Sequence, residues 1–76
     1  MILDDSWVEL GDSVSVLVQR QGTKPVSLCY AVSLSTPTTE ECFSLGEVPA
    51  MVFPAVTGKA LFARSVSGGA ITFEVL

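Results

Sequence analysis

Few residues in this chain are able to carry chemistry. Cys29 and Cys42 are its only two thiols, and histidine is absent. Without an imidazole the commonest general base is missing, and with it the usual activation of a serine or cysteine nucleophile. Neither cysteine has an activating group nearby in sequence, so nucleophilic catalysis has no anchor. Two thiols without a histidine also leave a zinc ion short of ligands. In a reducing compartment the two read as small, buried apolar residues, with a disulfide as the alternative.

The carboxylates include two adjacent pairs, Asp4-Asp5 and Glu40-Glu41. Neighbouring acids in exposed segments are usually solvated, and successive residues of a strand point to opposite faces. Calcium needs several converging oxygens, and neither pair sits in an EF-hand pattern. Gly68-Gly69 reads as a turn, not as part of a phosphate-cradling loop. The expectation is therefore no catalytic residue, no metal and no cofactor, in a protein that is not an enzyme.

Charge narrows the partners. Four Lys and Arg stand against eight Asp and Glu, a net charge of −4. Arg20, Lys24, Lys59 and Arg64 are dispersed, whereas phosphate contacts need clustered cations, so nucleic acid is not an expected partner. No apolar run reaches the roughly 18 residues of a bilayer span, so a membrane is not expected either. The opening "MILDDSWVEL" lacks a basic n-region and a continuous apolar h-region, which argues against a secretory signal and for synthesis in a cytoplasm.

Strands and turns position these residues. Period-two alternation dominates: "SVSVLVQR" puts Val14, Val16 and Val18 on one face, and "VSLCYAVSL" does the same for Val26, Leu28, Tyr30, Val32 and Leu34. Dense β-branching and the lack of a three-four spacing argue against helix. "QGTKP" reads as a hairpin connection, "STPTTEE" as a loop, "CFSL" as a short strand and Gly46-Glu47 as a turn. Pro49 in "VPAMVF" marks an edge, a bulge or a strand start. "KALFARSV" and "AITFEV" read as a closing hairpin around Ser67-Gly68-Gly69, with Leu61, Ile71, Phe73 and Val75 as core candidates. About six or seven short strands separated by turns predict an all-β fold, a small antiparallel β-sandwich or barrel.

The chain has 76 residues and reads as one domain, residues 1–76, with residues 1–12 either an N-terminal arm or the first strand. A chain this short buries only about 60% of its unfolded surface. Yet it is 49% hydrophobic with a mean hydropathy of +0.56, so the apolar surplus is buried either between subunits or in an efficient two-sheet core. Trp7, outside the strongest strands, is the best single interface anchor. Arg64 shares a strand face with Phe62 and Val66. It reads either as an edge-facing arginine with a packed stem, or as an intersubunit partner of an acid such as Glu47 or Glu74. The candidate subunit or partner interface is Trp7, Met51, Phe53 and Arg64.

Read whole, the chain resembles small β-rich virion proteins of tailed bacteriophages, of the capsid-decoration or head-fibre type. The resemblance covers about residues 13 to 76 and rests on "VSVLVQRQG", "PVSLCYAVSLSTPTT", "FSLGEV" and "TGKALFARSVSGGAITFEV". It implies a non-enzymatic structural subunit on the outer capsid surface, with the major capsid protein or another virion protein as partner. Closed symmetry in a homo-oligomer, a trimer favoured, would bury the apolar surplus. A tail or adhesion-apparatus β module and a small phage-encoded inhibitor of a host protein are the alternative classes.

Overall fold

The fold is that of a computed structural model, which describes residues 1–35, 37, 42–45 and 49–76, and of Cys42 the backbone alone. The Glu40-Glu41 pair and the Gly46-Glu47 turn lie outside the described residues. Among the described residues seven strands form and no helix does: β1 (Val8–Asp12), β2 (Val16–Gln21), β3 (Val26–Ala31), β4 (Cys42–Leu45), β5 (Ala50–Phe53), β6 (Ala60–Arg64) and β7 (Ala70–Val75). They make two antiparallel sheets, one ordered β1-β6-β3-β4 and the other β5-β2-β7. The chain is all-β and built as a small sandwich.

The alternation read in the sequence supplies the core. Val16 and Val18 from β2 face Val26 and Leu28 from β3, with Leu45, Phe53, Leu61 and Ile71 closing the same buried cluster. Burying each such side chain stabilises the fold by about 1.5–3 kcal/mol relative to exposure. The arm alternative and the first-strand alternative both describe part of residues 1–12. Residues 8–12 are β1, while Leu3 is buried and its N–H donates to the Gly69 carbonyl at 2.8 Å. The radius of gyration, 11.0 Å, is what a compact chain of this length takes, about 11 Å, so the arm lies on the body.

Three local expectations are corrected. "QGTKP" and the Ser67-Gly68-Gly69 turn do not close hairpins. β2 and β3 lie in different sheets, as do β6 and β7, so both turns are arches that carry the chain from one layer to the other. The strand drawn from Ser13 starts at Val16, because Ser13 takes a left-handed φ of 55° and turns the chain. The strand drawn to Leu34 ends at Ala31; Leu34 has φ 66° and is almost fully exposed, and Val32 is exposed as well.

The turn after β3 has a long-range cause. Glu9 of β1 accepts hydrogen bonds from Ser33 Oγ at 2.8 Å and from the Leu34 N–H at 3.1 Å. Because β6 lies between β1 and β3, this segment crosses the outer face of the four-stranded sheet. That explains why β6 is buried on both faces, with Ala60 and Phe62 as sealed as Leu61 and Ala63. Cys29 sits on the same covered face, opposite Phe62 on one side and Cys42 on the other, and is buried as the sequence suggested.

Candidate interaction surface

The residues with chemical potential are mostly used inside the fold. Cys29 Sγ contacts the Tyr30 carbonyl at 3.7 Å. Asp4 caps its own turn, its Oδ1 accepting the Ser6 N–H at 2.8 Å. Arg20 Nη1 donates to the Leu45 carbonyl at 3.1 Å, tying the two sheets together. Tyr30 donates its hydroxyl to the Pro54 carbonyl at 2.7 Å, and burial pushes its phenol above the ordinary value of 10.0. Among the described residues no three His, Cys, Asp or Glu side chains converge in a way that could hold a metal ion. None of the helices that could cross a membrane is found among them either.

The four interface residues read from sequence do not form one patch. Phe53 is only 2% exposed; its ring packs in the core, with the Phe43 ring 6.0 Å away edge-on. Alternation explains this correction: Phe53 pairs with Val16, on the inward side of its sheet. Met51 shares that inward parity but lies further along the edge strand β5 and is 44% exposed. Trp7 and Arg64 meet each other, with the guanidinium 4.5 Å from the ring centroid. Val8 pairs with Ala63, so the preceding and following residues, Trp7 and Arg64, fall opposite each other on the outer face.

Arg64 is therefore not an edge residue. β6 is flanked by β1 and β3, and Arg64 is opposite Ser27 on its other side. Its stem packs and its head lies over Trp7, while its Nε is buried without a hydrogen-bond partner among the described residues. Glu74 belongs to the other sheet, and Glu47 lies outside the described residues.

The surface that sequence reasoning missed is the free flank of β7. Phe73 and Val75, expected in the core, are 37% and 50% exposed, and Leu76 is 63% exposed. Their inward parity is right: Phe73 pairs with Val18 and Val75 with Val16, both fully buried. They lie on the last strand of the three-stranded sheet.

Other flanks are blunted by recognisable devices. β5 is bracketed by Pro49 and Pro54, β1 carries a register shift between Glu9 and Gly11, and β4 is only four residues long. Proline, bulges and short length are the usual guards against unwanted strand pairing. Beside β7, a hollow of about 170 Å³ lined by Leu17, Gln19, Thr72, Phe73 and Glu74 is smaller than the roughly 300–1,000 Å³ of small-molecule sites. A second, more open hollow at the other end of β7, lined by Ile2, Gln21, Thr23, Lys24, Gly68 and Ala70, measures about 370 Å³.

Comparison of the chain with family models, with curated proteins and with solved structures found no match.

Proposed function

We propose that this chain is a non-enzymatic structural protein of a tailed-bacteriophage virion, a capsid-decoration subunit that binds the outer head surface. The observation that carries the binding role is the open flank of β7, where Phe73, Val75 and Leu76 remain exposed together along the end of one sheet. An apolar edge on a small sandwich is a protein-contact surface in search of a strand or a face. The sequence resemblance described above supplies the virion setting, and the net charge of −4 favours the outside of a head over contact with packaged DNA. In this reading the partner is the major capsid protein or another virion protein, and the subunits form a homo-oligomer, a trimer favoured.

Mass spectrometry of purified particles tests the reading through copy number. Hundreds of copies per particle support decoration, and about a dozen or fewer move the protein to the tail or adhesion apparatus. Absence from virions rejects both and favours an inhibitor that binds a host protein. Sedimentation of the isolated chain tests the trimer: a stable monomer at micromolar concentration rejects a preformed one.

A further inference from the structure

Strand β7 has two flanks in different states. Along one it pairs with β2 from Ala70 to Val75. Leu76 N–H donates to the Ser15 carbonyl at 2.9 Å, just beyond the Val16 and Val75 pair, which makes that pair non-hydrogen-bonded. Alternation then assigns the rest: Ala70, Thr72 and Glu74 bond to β2, while Ile71, Phe73 and Val75 direct N–H and C=O to the other flank. Ile71 uses both groups on Met1, its N–H donating to the Met1 carbonyl and its carbonyl accepting from the Met1 amine, each at 2.9 Å. The same row continues at Phe73 and Val75, with no strand beside it among the described residues.

This flank thus already holds one extended apolar segment, the chain's own residues 1–3, and has room in line with it for another. A second copy is a poor occupant. Two-fold pairing of β7 with itself can centre on Glu74, which sets two carboxylates directly opposite at about 4.5 Å between α-carbons, a destabilising like-charge pair. Centring on Phe73 sets Val75 against Ile71 of the copy, where Met1 is already bonded. The carboxylate that opposes self-pairing would favour a cation in the same position, and the net charge of −4 acts in the same direction.

We infer that the open half of β7 receives an extended segment of a partner protein, added as an outer strand with the pattern apolar–cation–apolar. The Lys or Arg of that segment stands beside Glu74 on the outer face, and its apolar residues cover Phe73 and Val75 on the inner side. Main-chain hydrogen bonds to Phe73 and Val75 give the affinity, and the alternating side chains give the selectivity. The inference rests on the reading of the chain as a protein-binding subunit and names the chemistry of its partner.

The test uses the full chain and a short capped peptide alternating valine and lysine. The peptide is expected to slow amide hydrogen exchange at Phe73 and Val75 several-fold. The same peptide with alternate amides N-methylated, or with glutamate for lysine, is expected to lose the effect. Val75→Pro removes an N–H that β2 does not use, so it should keep the fold and abolish protection at Phe73. Independently, Glu74→Val should convert the chain to a dimer in sedimentation with Phe73 and Val75 protected, since the opposing carboxylates are gone. Exchange unchanged by the valine–lysine peptide overturns the inference, as does a Glu74→Val chain that associates no more than the parent. Protection of these amides in the parent chain by self-association alone would assign the flank to a second copy instead. Virions that lack the protein would end the decoration reading and leave this result standing.

Discussion

Trp7 and Arg64, far apart in sequence, face each other across the first pair of strands with the guanidinium 4.5 Å from the ring centroid. The indole shields one face of an arginine whose Nε is already buried without a hydrogen-bond partner among the described residues. A partly desolvated cation over an indole contributes about 1–2 kcal/mol. The contact is geometric as well as electrostatic, since a lysine cannot lie flat on the ring. Arg64→Lys and Trp7→Leu should each lower stability, and a double-mutant cycle should give a coupling of about 0.5–1.5 kcal/mol. Urea unfolding followed by far-ultraviolet circular dichroism, a signal that all four proteins of the cycle keep, measures it; a coupling near zero would mean the stack is fortuitous.

Leu3 does for the arm what Trp7 does for β1. Its side chain enters the main core cluster, and its N–H closes on the Gly69 carbonyl at 2.8 Å. Leu3→Ala should therefore behave as a core substitution and cost about 2–4 kcal/mol despite its place near the terminus. A domain of this size has only about 4–11 kcal/mol of total stability, so the loss should be large in a denaturant midpoint. Ile2→Ala makes the contrast, because Ile2 is exposed and its change should stay within about 0.5 kcal/mol.

Much of this fold is legible in the alternation, and the failures have a common origin. Val26, Leu28 and Tyr30 keep the parity their spacing predicts. Val32 and Leu34 continue the same pattern, yet the chain has left the strand, since the deciding contact is with Glu9 on a different strand. Parity also tells which face a side chain takes but not whether that face is covered. Phe53 and Phe73 both point inward from the two end strands of one sheet, yet Phe53 is sealed, with the Phe43 ring of the facing sheet 6.0 Å away, and Phe73 is left half open. Glycine turns have the same ambiguity, as Gly68-Gly69 suits either a hairpin or an arch, and only strand pairing decides.

That arch yields a prediction that a free hairpin turn would not. A Cβ added at Gly69 would lie 2.8 Å from Ser65 Oγ and 3.1 Å from the Lys24 carbonyl. Ser65 is buried there, donating to the Pro25 carbonyl and accepting the Gly69 N–H, each at 2.7 Å. Gly69→Ala must push against backbone and break part of this network, for about 2–3 kcal/mol. Gly22 takes φ +84° in the other arch with nothing near its Cβ position. Gly22→Ala should carry the left-handed cost alone, about 1 kcal/mol. Equal thermal shifts for the two variants would contradict the packing assigned to Gly69.

Tyr30 supplies a pH dependence that can be read without ambiguity, because it is the only tyrosine in the chain. Burial of the ring disfavours the phenolate, so its folded value lies above the ordinary 10.0, and its hydroxyl donates to the Pro54 carbonyl at 2.7 Å. The folded chain therefore keeps this proton to higher pH than the unfolded chain does. The resulting contribution to stability is full below about pH 10 and is lost as pH rises through the folded value. Absorbance of the phenolate near 295 nm should show a midpoint above that of the chain in denaturant. Tyr30→Phe should abolish the signal and, by leaving the Pro54 carbonyl to water, cost about 1 kcal/mol at neutral pH. Its stability should then fall less steeply than the parent's above pH 10. A Tyr30 midpoint identical in folded and unfolded chains would show that the ring is not desolvated.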